Sequence, residues 1–299
     1  MSGRRGAAAA ALCAVVALAG CHRRAAVVLP PLPAHYTAGV PWQGGRGMWF
    51  YPAESFSAAF TGLASVVGAH GPVVADGERY DPQVAAAASQ TLQLPAVVRV
   101  TNLENGRQVL LRVDDRGPAD PGRVLALTPR AATLLGVAPG EGATRVRVVV
   151  DEALSRRLAE QLHGGPRLDI ATAPRESVRA EALGPPGAAS GGGRATTIGA
   201  APAEAEAAAV PDRLAEDVVD AGAAPGQLWL RTDSFGRADY ARRLAAKLSG
   251  LPAEVVRTRE GRSDSFAVRA GPFATVAEAD DALDRALRAG VTDARIVVQ

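Results

Sequence analysis

The sequence predicts two small domains of different class: a mostly-β barrel and an α+β ferredoxin-like sandwich, joined by a long linker. Three observations carry this. "AVVRVTNLENGRQVLLRVDD" (96–115) holds two alternating runs joined by Asn105-Gly106, the strongest short hairpin signal. After residue 225 strand and helix patterns come in the order βαββαβ. Between the two lies "GPPGAASGGGRATTIGAAPAEAEAAA" (184–209), Gly/Pro/Ala-rich and without a core-forming stripe.

At the N-terminus, Arg4 and Arg5 precede an apolar run, Ala7 to Ala19, too short to span a bilayer, which ends in "LAGC" at Leu18–Cys21. That tetrapeptide resembles the lipobox of bacterial lipoproteins. It implies a signal peptide over 1–20 and a mature chain starting at a lipid-bearing Cys21. Residues 21–56 are rich in Pro and Gly and read as a tether packing on the barrel.

Residues 57–151 read as the barrel. Strands dominate, including "TRVRVVVD" at 144–151. Two short helices are expected there. One has Asp81 as N-cap and Pro82 first, running through "QVAAAAS"; the other has Thr128 as cap, Pro129 next and Gly136 as its stop. Residues 152–224 read as a flexible linker whose span, roughly 40 Å, would let the flanking units move independently. In 225–299, "QLWLRT", "EVVRT", "SFAVRAG" and "ARIVVQ" are strands. The helices run from Arg237 to a stop at Gly250, and from the capping box Thr275-x-x-Glu278 to Gly290.

Composition narrows the function. Net charge is +2, aromatics are 4% of the chain, and Lys247 is the only lysine among 33 basic residues. No basic block carries interleaved aromatics, so nucleic acid is not an expected partner. With Cys13 in the discarded segment, Cys21 stands alone and no disulfide is expected. His22, His35, His70 and His163 have no ligand spacing, so neither a metal nor another cofactor is implied.

"LLRVDDRGPADPG" (110–122) runs a strand into Asp114, Asp115 and Arg116, then breaks at Gly117-Pro118. Locally this is either a solvated turn or a rim that holds catalytic carboxylates. Glu78 in "VADGERYD" sits in a similar Gly-containing turn. If the two segments converge, acid/base cleavage of a glycosidic bond becomes possible.

"GLASVVG", "ADGERYD", "LPAVVRVTNLENGR", "LRVDDRGP" and "AATLLG", preceded by "YTAGVPWQGGRGMWFYP", resemble the rare lipoprotein A family in order and spacing over about Tyr36–Asp151. The resemblance implies a six-stranded double-psi β-barrel and a lytic transglycosylase that cuts peptidoglycan. Its essential acids fall on Asp115 and Glu78. Arg116, Asp114 and Ser89 line the substrate side in this reading, Asp114 replacing an Asn and Ser89 a His. The chain also departs at Val66 and Val67 (an aromatic pair in the family), Ala126 (Asp) and Val74 (Thr). "FAVRAGPFATVAEADDALDRALRAGVTDARIVV" resembles the sporulation-related repeat, which binds glycan strands stripped of stem peptides. Trp229, Arg231 and Phe235 are the sugar contacts that this implies.

Together these imply an endolytic transglycosylase that cleaves MurNAc–GlcNAc bonds in denuded strands at the septum. It would be lipid-anchored in the bacterial envelope, the outer membrane favoured, with division-ring proteins as possible partners. The departures at Val66/Val67, Ser89, Ala126 and Val74 support an alternative: a catalytically inactive peptidoglycan-binding scaffold.

Overall fold

The computed structural model describes residues 33–138, 140, 142–162, 164–165, 209–211, 213–260 and 263–299. The expected signal segment, Cys21 and most of the expected linker lie outside the described residues.

A small hairpin, β1 (Trp42–Gln43) and β2 (Trp49–Phe50), opens the described chain. Trp42 stacks on Phe50 at 4.9 Å and donates its indole N–H to the Gln90 carbonyl at 3.0 Å. The Gly45 amide bonds the Ala119 carbonyl at 2.7 Å. The segment thus packs on the barrel loops that carry Gln90 and Ala119.

The barrel comprises β3 (Ala59–Val66), β4 (Ala86–Ser89), β5 (Ala96–Asn102), β6 (Arg107–Arg116), β7 (Leu125–Leu127) and β8 (Thr144–Val150). Its order is β4-β7-β3-β8-β5-β6, closed by a β6–β4 pairing. β3–β7 and β4–β6 are parallel and the other pairings antiparallel, giving the closed six-stranded mixed barrel expected. Closure removes free edges. Alternation in the sequence becomes alternation in burial: Val98, Val100, Val109, Leu111, Val146 and Val148 point into one apolar core.

One expected helix is absent. "QVAAAAS" forms a turn at Asp81–Val84 and then strand β4. Alanine favours a helix locally, but Ala86, Ala87, Ala88 and Ser89 are all buried between β6 and β7, where only small side chains fit. The second expected helix is present as α1 (Pro129–Leu135). The Thr128 hydroxyl accepts the Ala131 amide at 3.2 Å, and Gly136 ends the helix with φ at 68°. That left-handed geometry strains any residue with a Cβ.

The expected linker begins in ordered structure. α2 (Glu152–Gln161) is capped by Asp151 and tied to the barrel by Ser155, whose hydroxyl exchanges bonds with the Val97 backbone at 2.9 and 3.0 Å. Farther on, β9 (Val219–Asp220) pairs with β6.

The C-terminal domain has the order β10 (Leu228–Arg231), α3 (Ala238–Lys247), β11 (Ala253–Glu260), β12 (Ser263–Phe273), α4 (Val276–Arg288), β13 (Arg295–Val298). Its antiparallel sheet runs β11-β12-β10-β13, the ferredoxin-like arrangement. Thr275 caps α4 through the Glu278 amide at 3.2 Å, and the Glu278 carboxylate accepts the Ala274 amide at 3.0 Å.

The two domains are docked, whereas a linker of that length and composition predicts independent motion. The Thr61 hydroxyl of β3 donates to the Val298 carbonyl at 2.6 Å and accepts its amide at 3.1 Å, closing the outer edge of β13. A Cβ on Gly62 would lie 2.6 Å from Val124 and 3.2 Å from the Ile296 carbonyl, so glycine permits this approach. Arg123, 9% exposed, grips Asp280 of α4 with two bonds at 2.7 and 2.8 Å. Leu63 packs in the same apolar cluster as Leu228 and Ile296. The long connection therefore does not separate the domains, because complementary surfaces hold them together.

Candidate active site

The rim of the barrel gathers the acids at the end of β6. On a regular strand Asp114 and Asp115 would point to opposite faces. Here the β4–β6 register slips: Ala87 sits opposite Val113, but Ala88 sits opposite Asp115. Asp114 is the extra residue of a bulge, a device that re-aims side chains. Both carboxylates reach one cluster with Asp76 and Glu78 from the preceding loop.

Asp115 is held from two sides. Its Oδ1 accepts the Ala75 amide at 2.7 Å, and its Oδ2 lies 2.6 Å from His70 Nε2. The other nitrogen of His70 lies 2.8 Å from the Gly71 carbonyl, and the ring stacks on Tyr80 at 4.2 Å. Burial pulls the His70 pKa down, but the Gly71 carbonyl and the Asp115 carboxylate outweigh it, so it sits above its ordinary value. Burial raises the Tyr80 phenol, and Asp114 and Asp115 add to this.

Arg112, 5% exposed, is the counter-charge. It reaches Glu78 Oε1 at 2.9 Å and Asp76 Oδ2 at 3.3 Å. Asp76 is fully buried and its Oδ1 accepts the Glu78 amide at 3.0 Å. Burial lifts the Asp76 pKa despite that amide and Arg112. Asp114 is pushed well above the carboxylate range, first by burial and then by the charge of Asp76, with Asp115 and Glu78 adding to it against Arg112. The loop and strand thus hold a proton-rich acid (Asp114), an ion-paired one (Glu78) and one coupled to an imidazole (Asp115). That set can both deliver and accept a proton on a substrate between Glu78 and Asp115.

Other expected positions fall elsewhere. Ser89 is 1% exposed, and its hydroxyl faces the Thr91 and Leu92 amides at 3.5 and 3.4 Å, ordering the turn after β4. Arg116 donates to the Leu92 carbonyl, and burial lowers its pKa to about 10 against the pull of Asp115. Ala126 is buried on β7 and Val66 is exposed. In the C-terminal domain Phe235 packs against the core, and its backbone pairs with Phe266. The Trp229 ring is covered by the Arg269 guanidinium at 4.1 Å. Of the three expected sugar contacts, Arg231 opens into a cavity shared with the barrel. His70 is the residue that sequence reasoning missed: a lone histidine beside glycine has no distinguishing spacing, and only its distance to Asp115 marks it. Among the described residues no group of three or more His, Cys, Asp or Glu is arranged to hold a metal ion.

Comparison with known proteins bears on both halves. Residues 58–148 match the lytic transglycolase family model, and residues 224–296 match the SPOR domain model. The endolytic peptidoglycan transglycosylase RlpA of Pseudomonas aeruginosa (strain UCBPP-PA14) is 36% identical over 219 residues, covering 70% of this chain and 61% of that protein. This chain therefore spans about three-fifths of the length of that relative. RlpA of Yersinia pestis is 51% identical over 78 residues, 25% of this chain and 22% of that one. The crystal structure of the SPOR domain of P. aeruginosa RlpA is 27% identical, with a TM-score of 0.23, and covers 24% of this chain and 99% of that one.

Proposed function

We propose that this chain, an RlpA-type protein joining a lytic transglycolase barrel to a SPOR domain, cleaves the MurNAc–GlcNAc bond of stem-peptide-free peptidoglycan without using water. The observation that carries this is the short His70–Asp115 contact beside the Arg112-bound Glu78.

The proton between His70 Nε2 and Asp115 Oδ2 passes to the glycosidic oxygen as the bond to C1 of MurNAc breaks. Positive charge then grows on C1 and the ring oxygen, and the carboxylate of Glu78 offsets it. The MurNAc 6-hydroxyl oxygen closes on C1, its proton passes to Glu78, and a 1,6-anhydro end results. Glu78 then gives that proton up to solvent and the His70–Asp115 pair takes one back from solvent, so the cycle closes with no net change in protons. Asp114, its pKa raised by burial and by the charge of Asp76, is inclined to its neutral form and so lightens the negative charge at the rim. Arg116 keeps its main bond on the Leu92 carbonyl and ties the end of β6 to the loop after β4. Ser89 acts the same way at the end of β4. No step requires a cofactor.

The SPOR domain holds the strand while the barrel cuts. Its sugar-contact candidates remain Trp229, Arg231 and Phe235, with Arg231 the one that lines the cavity shared with the barrel. In this reading Cys21 carries the lipid that anchors the chain at the periplasmic face of the envelope, the outer membrane favoured, with septal enrichment and possible division-ring partners. Cys21→Ser should leave an unlipidated precursor outside the membrane fraction, because stable anchoring takes more than one acyl chain.

The test compares wild type with Asp115→Asn on purified denuded strands, reading binding and fragment release together. The amide cannot supply the proton, so release should fall about a hundredfold or more while binding is kept. If wild type binds but releases nothing, the scaffold reading replaces this one.

A further inference from the structure

We infer that the cleft between the barrel and the C-terminal sheet is a shared anion site, and that it takes the lactyl carboxylate of a MurNAc residue lacking its stem peptide. This rests on the reading of the substrate as glycan and extends it to the barrel.

The starting point is an arrangement that costs stability. In the C-terminal sheet Arg269, Arg231 and Arg295 lie directly abreast on β12, β10 and β13. Their neighbours Leu228, Leu230, Val268 and Ile296 are buried on the helix side, so the three guanidinium stems share the opposite face. Like charges directly opposite on neighbouring strands are destabilising. Two of them are compensated: Arg269 pairs with Glu254, and Arg295 with Asp233 at 3.0 Å. Arg231, in the middle, makes no ion pair among the described residues.

The barrel adds a fourth. Arg147 of β8 sits opposite Thr61, the residue that closes the edge of β13, and likewise makes no ion pair among the described residues. Arg147, Arg231 and Arg295 line one cavity of about 530 Å³ together with Phe60, Gln90 and Gln299. That volume suits a sugar unit or two. The combination of two unpaired guanidiniums, amide side chains and an aromatic ring fits a carboxylate carried on a sugar.

The cleft is also placed to work with the acids. Ala88 and Ser89 of β4 pair with Asp115 and Arg116, and the next two residues, Gln90 and Thr91, line the cavity. A strand seated in the cleft would thus run toward the rim. Removing a stem peptide exposes the lactyl carboxylate on each MurNAc, so a guanidinium pair here selects denuded strands by charge.

The test uses the full chain carrying Asp115→Asn, so that bound strands are not cut. Binding is measured to denuded strands and to the same strands with the lactyl carboxyls reduced to alcohols. The parent should prefer the native strands about tenfold, the effect of one charge-assisted contact. Arg147→Gln and Arg231→Gln should each remove that preference by weakening native binding alone. Equal weakening on both strands, or a preference that survives Arg147→Gln, would overturn the shared site. Cleavage by wild type is read separately, so failure of the catalytic reading leaves this result interpretable.

Discussion

At the barrel rim Asp76 and Glu78 bond one buried arginine with Asp114 and Asp115 close by, and on the C-terminal sheet Arg231, Arg269 and Arg295 stand abreast on the face turned away from the helices. Both are concentrations of like charge, and they are resolved differently. At the rim burial and mutual repulsion work against ionisation: the pKa values of Asp114 and Asp76 rise above their ordinary range and His70 is drawn into a bond with Asp115. The guanidiniums are met by counter-charges instead, Glu254 at Arg269 and Asp233 at Arg295, and Arg231 between them leaves a place for a counter-ion. The difference teaches that burial turns like charge into acid/base chemistry, whereas on a reachable sheet face it is turned into binding.

The largest expected effect lies at the rim. Glu78→Gln should lower turnover about a hundredfold, because the amide keeps the shape but not the charge that offsets the oxocarbenium ion. Retained turnover would separate Glu78 from the chemistry and leave the rim with one working acid.

The next effect is a pH dependence. The folded pKa of His70 is raised, so protonated His70 is favoured in the fold. Its stabilising contribution is complete below the ordinary imidazole value of about 6.5 and is lost as pH rises through the raised one. If the His70–Asp115 proton is the one delivered, turnover falls over the same window. His70→Asn should cost about tenfold at neutral pH and abolish that descending limb. A limb that persists in the variant would assign it to another group.

Smaller is the coupling between the two regions. Arg123→Ala removes both bonds to Asp280 and should weaken docking by about 1–2 kcal/mol, since one partner is partly exposed. Faster hydrogen exchange in α4 and at the β13 edge, with the barrel core unchanged, would register it. No change in exchange would mean that Thr61 and Leu63 suffice.

The smallest effect sharpens the contrast from inside the rim. Asp114 is already inclined to its neutral form, so Asp114→Asn should change activity by less than about twofold. A carboxyl whose folded pKa is raised costs stability at neutral pH, and the cost vanishes below about pH 3.9, where the unfolded chain is protonated as well. The variant should therefore be more stable than wild type at pH 7, and the gain should disappear in acid. Destabilisation at pH 7 would show that Asp114 is charged.

Much of this molecule is readable from its sequence. The Asn105-Gly106 hairpin, the caps at Thr128 and Thr275 and the stops at Gly136 and Gly290 are local signals, and the structure has each of them. Asp115 and Glu78 are marked by resemblance. The features that are not readable depend on partners distant in the chain. The alanines of β4 read as helix because their flanking strands are invisible locally. His70 lies 45 residues from Asp115, and nothing in its neighbours announces the contact. The bulge at Asp114 exists only in the pairing with β4. The docking of the domains rests on Thr61 and Arg123, ordinary residues until β13 and α4 arrive beside them.

The measurement that tests the central claim most directly is the identity of the ends made when wild type acts on denuded strands in ¹⁸O-labelled water. The account predicts fragments ending in 1,6-anhydro-MurNAc, one water lighter than a hydrolysis product and free of the label. Reducing ends carrying ¹⁸O, or no new ends at all, would contradict it.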